Sequence, residues 1–171
     1  MTEKYQTRER IKQESLPIEN WIEYQQSSME YEYFRHINTY RFDLAATAIY
    51  EFIWEKYCDW YIEISKIFLY QETTSTKTKS LISTNLVRNL QSALVVLHPI
   101  MPFITEELWS NLEDTKASKK TFNQIKIKKP EKPSDPTAEV CNMAKLMSFI
   151  SEARKLRTSL KAKPNEKINV Y

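Results

Sequence analysis

The sequence predicts an all-α protein, an antiparallel helical bundle with at most a minor strand pair near the C-terminus. The first observation is that glycine is absent from all 171 residues, because tight hairpin turns between strands depend on glycine. The second is that apolar residues recur every three or four positions in several segments, which is the spacing of one helix face. The third is that only residues 124–128 and 167–171 have a strand-like pattern, so little of the chain is left for a sheet.

Four regions follow from the distribution of polar and apolar residues. We predict a polar lead-in at 1–16, a helical bundle at 17–113, a linker at 114–136, and a final bundle helix with the start of a truncated strand at 137–171. With 42% hydrophobic and 27% charged residues, a chain of this length can bury the core of one ordinary globular domain.

Two helices are predicted in the first part of the bundle. The first begins at Pro17, since proline suits the first turn of a helix, and runs to about Ile37. The second has Asp43 as its N-terminal cap and extends to about Tyr70. The buried face of the first comprises Trp21, Ile22, Met29, Tyr33 and Ile37. That of the second comprises Leu44, Ala48, Phe52, Ile53, Tyr57, Trp60, Ile64 and Phe68.

Three further helices are predicted beyond the polar loop that follows Tyr70. The third ends before Pro99, the fourth is opened by Thr105 and two acidic residues, and the last runs from about Pro136 to Lys161. The third buries Leu81, Leu86, Leu90, Leu94 and Leu97. The last turns inward Val140, Ala144, Met147, Ile150, Ala153, Leu156 and Leu160. We also expect Trp54, Trp60 and Trp109 to pack in the core.

The composition excludes several classes of function. Loops that cradle nucleotide phosphates need glycine, so we predict no cofactor-binding site of that kind. Cys58 and Cys141 form no CxxC pair, and we predict no metal site. Asp59 and Glu63 stand one helical turn apart, a spacing common for surface charges, and no nucleophile or base accompanies them. We therefore predict no catalytic residue. Because no run of 18 apolar residues occurs, we expect a soluble, cytoplasmic protein without membrane contact.

Charge is distributed unevenly along the chain. Residues 1–115 have 11 Lys and Arg against 17 Asp and Glu, whereas residues 116–171 have 14 against 5. The C-terminal third is therefore the candidate for contact with a polyanion such as nucleic acid. Lysine-rich surfaces are also common where nothing but solvent is bound, so charge alone leaves both interpretations open.

Three groups of motifs carry a resemblance to a known family. RFDLAA at 41–46, YEFIW at 50–54 and CDWYIE at 58–63 resemble a continuous pattern of valyl-tRNA synthetases, a family of class I aminoacyl-tRNA synthetases. HPIMPFITEELW at 98–109 is similar to a motif that leucyl, isoleucyl and valyl enzymes share. A weaker third group, ARKLR followed by PNEKI, lies within 153–168.

The resemblance covers roughly residues 17–171 and implies a fragment, the helical domain that binds the anticodon stem-loop of tRNA(Val). The parent enzyme would be valine–tRNA ligase, which uses ATP with Mg²⁺. This chain lacks the HIGH and KMSKS signatures, so we predict that it is non-catalytic, and we expect a monomer. The alternatives are the anticodon-binding region of an isoleucyl or leucyl enzyme, and a stand-alone helical interaction module.

Six residues are predicted to contact RNA: Arg41, Phe42, Arg88, Arg154, Arg157 and Lys161. Single-stranded loops are bound by aromatic or guanidinium planes under the bases and by cations at the phosphates. Arg41 and Phe42 stand at the start of a helix, whose free N–H groups also favour phosphate. The alternative is that Phe42 packs under the first helix and Arg41 pairs with an acid.

The other four predicted contacts are basic residues on helices. Arg88 lies among leucines, where an arginine often extends its charged end to water. Arg154, Arg157 and Lys161 step by three and four and share one helix face, which would suit a row of phosphates. The same pattern is common on faces that contact only solvent.

Overall fold

The computed structural model describes residues 16–112 and 129–160, and all regular structure in these two ranges is helical. The elements are α1 (Pro17–Asn38), α2 (Phe42–Glu51), a π-helical segment (Phe52–Ile62), α3 (Glu63–Tyr70), α4 (Thr76–Leu97), α5 (Pro102–Leu112) and α6 (Ala138–Ser159). The predicted all-α bundle is confirmed. Both predicted strands lie outside the described residues, and the four region limits stay predictions.

Helix α1 is the central element of the bundle and packs against α2, the π segment, α4 and α6. Its predicted face is confirmed at Trp21, Ile22, Met29 and Tyr33, all of which are buried. Full burial of a side chain such as Ile22 stabilises a fold by about 1.5–3 kcal/mol. Pro17 stands at the first position of the helix, where its missing N–H leaves no hydrogen bond unmade.

Helix α2, the π segment and α3 form one uninterrupted helical run, which confirms the predicted long second helix. The prediction that Asp43 caps it is wrong, because Arg41 is the N-cap residue and Asp43 lies within the first turn. In the π segment backbone N–H groups bond five residues back rather than four. The wider turn brings a different set of residues inward than a regular α-helix would. The buried positions are Ala45, Ile49, Phe52, Tyr57, Tyr61 and Ser65.

Helix α4 turns two asparagines, Asn85 and Asn89, into the bundle together with Ile82, Ala93, Leu94 and Val96. Of its predicted leucines Leu94 is buried, whereas Leu86, Leu90 and Leu97 lie at the flank of the core. Helix α5 starts at Pro102, not at Thr105 as predicted. The Thr105 hydroxyl donates to the backbone oxygens of Met101 and Pro102 at 2.8 and 3.0 Å, so this residue is buried inside the first turns.

Helix α6 packs on α1 through its N-terminal half. The Asn20 amide donates to Glu139 at 2.7 Å, and Val140 and Met147 are buried. The predictions that Ala144, Leu156 and Leu160 face inward are wrong, because all three side chains are exposed. The buried positions of α6, Val140 and Met147, both lie in its N-terminal half, so the last turns of the helix remain at the surface.

A polar cluster lies inside the bundle and connects three of its elements. The Glu19 carboxylate of α1, only 5% exposed, accepts from the Tyr61 hydroxyl of the π segment at 3.0 Å and from the Asn85 amide of α4 at 2.7 Å. Burial raises the pKa of Glu19 despite these two donors. Because each bond joins a different helix to α1, the cluster fixes how the three elements are placed against one another.

Candidate RNA interface

The chain turns sharply between α1 and α2, and this corner contains the first two predicted RNA contacts. The Arg41 N–H donates to the His36 carbonyl at 2.9 Å, and the Tyr40 N–H donates to the Ile37 carbonyl at 3.1 Å. These two bonds form a Schellman motif, in which the residue after the helix cap adopts the left-handed conformation. That residue is Tyr40, with φ of 58°.

Two aromatic rings project from the corner into solvent. Phe42 is 60% exposed, so the alternative in which it packs under α1 is wrong. Tyr40 is 82% exposed. The two ring centroids lie 6.4 Å apart with an angle of 80° between the planes, an edge-to-face arrangement. The corner therefore presents two aromatic surfaces at nearly a right angle.

The guanidinium of Arg41, the residue between Tyr40 and Phe42 in the sequence, is paired. Arg41 Nε and Nη2 donate to the two carboxylate oxygens of Asp43 at 3.1 and 3.0 Å. The hydrogen bonds from Arg41 lower the pKa of Asp43 to about 2, and the same pair raises the pKa of Arg41. The alternative in which Arg41 pairs with an acid is confirmed. At neutral pH this fork-like pair carries no net charge.

Arg88 also has an acidic partner. Its Nη2 donates to Glu23 of α1 at 2.8 Å, and both side chains are partly exposed. The pair joins α4 to α1 near the polar cluster, because Glu23 is one helical turn beyond Glu19. Arg88 therefore has a structural contact that the sequence pattern did not predict.

The C-terminal half of α6 carries the remaining predicted contacts. The Arg154 guanidinium lies over the Trp60 ring of the π segment, 5.2 Å from its centroid. This cation–π contact leaves the positive charge unneutralised. Arg157 is half-buried, and Lys161 lies outside the described residues. The five predicted residues that the structure describes thus lie on three elements rather than in one cluster: the α1–α2 corner, α4 and α6.

Tyr40 and Tyr50 are among the exposed aromatic residues that sequence reasoning missed. Tyr50 stacks on Trp54 with centroids 6.5 Å apart and planes 9° from parallel, and both rings are mostly exposed. The prediction that Trp54 lies in the core is therefore wrong, whereas Trp109 is buried as expected. The available signal was an excess of apolar residues on α2 and the π segment, more than one helix face can bury.

The described ranges contain no group of three or more His, Cys, Asp or Glu side chains placed to hold a metal ion. Cys58 and Cys141 are both free thiols. His98 is a structural residue at the α4–α5 corner, where its Nδ1 lies 2.8 Å from the Thr105 hydroxyl. Within the same ranges, no helix has the length and hydropathy required to span a membrane.

Comparison with known proteins places this helical fold in a family. The anticodon-binding domain family of tRNA ligases matches residues 19–171, and the chain belongs to this family. The similar curated proteins are valine–tRNA ligases. That of Laribacter hongkongensis is 35% identical over 92% of this chain and 17% of its own length. That of Dechloromonas aromatica is 35% identical over 88% and 16%, and that of Neisseria meningitidis serogroup B is 37% identical over 78% and 14%.

These relatives confirm the resemblance to valyl-tRNA synthetases that the RFDLAA, YEFIW and CDWYIE motifs indicate. The chain spans about a sixth of the length of the relatives that it matches. It therefore corresponds to one region of those relatives.

Proposed function

We propose that this chain binds the anticodon stem-loop of tRNA(Val) as the anticodon-binding part of a valine–tRNA ligase. The observation that carries the proposal is the family match over residues 19–171 together with relatives that are valine–tRNA ligases. The α1–α2 corner supports it, because exposed aromatic rings beside a helix start are what an unstacked base requires. The relatives favour valine over the isoleucyl and leucyl alternatives.

Two kinds of contact would act together in this mechanism. The aromatic side chains of the corner would stack on loop bases and so depend on sequence and loop conformation. Arg154 and Arg157 of α6, with Lys161, would hold backbone phosphates and contribute affinity without sequence preference. Arg88 is paired with Glu23 of α1 near the polar cluster, so we rank it last among the six.

The ligase chemistry would be supplied by other parts of the parent protein. Attachment of valine to tRNA uses ATP with Mg²⁺, and the residues present do not fit such a site. The chain has no glycine for a phosphate-binding loop, and no acidic cluster able to hold a metal occurs in the described ranges. We propose that the isolated chain is a non-catalytic monomer and that it acts in the cytoplasm.

The proposal is tested by titrating the purified chain with three RNAs at two salt concentrations: a tRNA(Val) transcript, the same transcript with an exchanged anticodon, and an unrelated tRNA. We expect the first to bind most tightly at both salts, because phosphate contacts alone are blind to sequence. Equal binding of all three would contradict anticodon recognition. It would instead favour a stand-alone helical module with a basic surface.

A further inference from the structure

Tyr40 occupies a backbone position that is unfavourable for a tyrosine. It alone among the described residues has a positive φ, and a Cβ atom in the left-handed region crowds the following carbonyl. Glycine at this position of a Schellman motif would avoid that cost. A non-glycine residue in the left-handed conformation needs a compensating gain in free energy elsewhere in the molecule or in a complex.

The fold supplies little of that gain. The Tyr40 ring is 82% exposed, and the ring that it meets, Phe42, is itself mostly exposed. Neither ring adds to the core of the bundle. A ligand that covered the exposed rings would supply the missing gain.

The geometry of the two rings suits one flat aromatic ligand. A base stacked on the face of one ring would meet the other ring at its edge, since the planes differ by 80°. Such a contact combines face stacking with the edge-to-face packing that aromatic groups prefer. A base that remains stacked in a helix offers no free face, so only an extruded base can enter.

The charge of the corner points to a base rather than to a phosphate. Arg41 follows Tyr40 and precedes Phe42 in the sequence, and its guanidinium is held by both oxygens of Asp43. A phosphate at the remaining N–H groups of Arg41 would be repelled by the Asp43 carboxylate beside it, whereas a base can stack beside the neutral pair without that repulsion. The corner therefore offers aromatic surface with little net charge.

We propose that Tyr40 and Phe42 together hold one unstacked base of the bound RNA loop, with Asp43 as the positioning residue that keeps Arg41 from recruiting phosphate. This inference rests on the proposed function and adds Tyr40 and Asp43 to it. It assigns the corner to base recognition and leaves phosphate binding to α6.

The test uses the full chain and an RNA stem-loop that carries the valine anticodon, with a scrambled-loop RNA of the same length for comparison. Tyr40→Gly removes the ring at a position where glycine is favoured, so the variant keeps its fold and its thermal midpoint does not fall. Tyr40→Phe keeps the ring. Tyr70→Ala is the matched control, because Tyr70 is 81% exposed but stands at the far end of the same helical run.

We expect Tyr40→Gly to weaken binding of the anticodon RNA at least about five-fold, the lower end of base stacking on an aromatic ring. Tyr40→Phe should bind like the parent chain, and Tyr70→Ala should change nothing. The salt dependence should be the same for all four proteins, since no phosphate contact is lost. Replacing loop bases one at a time by abasic sites should identify one position at which Tyr40→Gly has no further effect.

Two results would overturn the inference while leaving the proposed function intact. One is a parent chain that prefers the anticodon RNA and a Tyr40→Gly variant that binds it equally well. The other is a Tyr40→Gly variant with a flatter salt dependence, which would mean that the corner binds phosphate. A parent chain that does not distinguish the anticodon RNA from the scrambled one would instead overturn the proposed function, and the inference with it.

Discussion

Glu19 and Asp43 occupy the same place in two different helices and behave in opposite ways. Each is the acidic residue in the first turn of its helix, Glu19 in α1 and Asp43 in α2. Glu19 points into the bundle, where burial raises its pKa. Asp43 points into solvent, where Arg41 lowers its pKa to about 2. The same position near a helix start favours a carboxylate in both cases, so the surroundings decide what the group does.

The difference separates a structural acid from a surface acid. The buried carboxylate joins three elements by hydrogen bonds, and removing it would leave buried donors without an acceptor. The exposed carboxylate has no buried partner, and its main effect is on the charge of the residue beside it. We therefore expect changes at Glu19 to alter stability and changes at Asp43 to alter RNA binding.

The largest expected effect is on stability when the buried carboxylate is removed. Glu19→Ala leaves the Tyr61 hydroxyl and the Asn85 amide without their acceptor, and we expect a loss of about 3 kcal/mol in the free energy of unfolding. Urea unfolding followed by circular dichroism at 222 nm measures it. Glu19→Gln keeps an acceptor oxygen and should cost less. If Asp43→Ala destabilised the chain as much as Glu19→Ala, the contrast between the two acids would be wrong.

Acid should affect the two carboxylates in opposite directions. Because folding raises the pKa of Glu19, the folded state binds this proton more tightly. Its contribution to stability is full below about pH 4.5, the ordinary value, and is lost as pH rises through the folded pKa. The contribution of Asp43 to stability depends on pH in the opposite direction. It is present above about pH 3.8 and is lost as pH falls through about 2.

The sign for Glu19 can be measured in one set of unfolding curves between pH 7 and pH 4.5, a range in which Asp43 stays ionised. As pH falls from 7 to 4.5, the free energy of unfolding of the parent chain should rise relative to that of Glu19→Gln, whose side chain does not titrate. Glu23 and Arg88 also act on Glu19, so Arg88→Gln should raise the midpoint of the Glu19 titration further. If the free energy of unfolding of the parent chain instead fell relative to that of Glu19→Gln as pH falls, the pKa of Glu19 would not be raised by folding.

A smaller effect is expected on the salt dependence of RNA binding when Arg41 is released. Asp43→Asn removes the charge that neutralises Arg41, so one more cation becomes available to phosphate. We expect the slope of log affinity against log salt to steepen by about 0.7, the value for one added contact to a single strand. Asp59→Asn, at an exposed acid in the π segment, should leave the slope unchanged. An unchanged slope in Asp43→Asn would show that Arg41 is not masked by Asp43.

A change in salt dependence of the same size, with a small loss of stability, is expected at Arg154, whose partner is a ring and not a carboxylate. Arg154→Ala should lower the free energy of unfolding by about 0.5–1 kcal/mol through loss of the contact with Trp60. It should also flatten the salt dependence of RNA binding by about 0.7. Arg154→Lys keeps the charge and should retain the slope. Identical slopes for the parent chain and Arg154→Ala would remove this residue from the RNA contacts.

The helices and their order could be predicted from the sequence because helix formation depends on neighbours three and four residues apart. The buried faces were harder to assign. The i→i+5 pattern of the π segment brings Tyr61 and Ser65 inward, and a search at regular α-helical spacing selected Trp60 and Ile64 instead. On α4 the leucine spacing gave no sign of Asn85 and Asn89, which are buried because the Asn85 amide donates to Glu19 and the Asn89 amide donates to the Asn85 backbone carbonyl.

By itself the sequence determined the all-α class, the long helical run after Arg41 and the motifs that indicate the family. These depend on local spacing, on the absence of glycine and on the identity of residues in a row. Only the tertiary structure decided which arginines are paired, that Phe42 and Tyr40 are exposed, and that Glu19 is buried. Those outcomes depend on contacts between residues as distant along the chain as Glu19 and Asn85, and burial and pairing at such distances leave no periodic mark in the sequence.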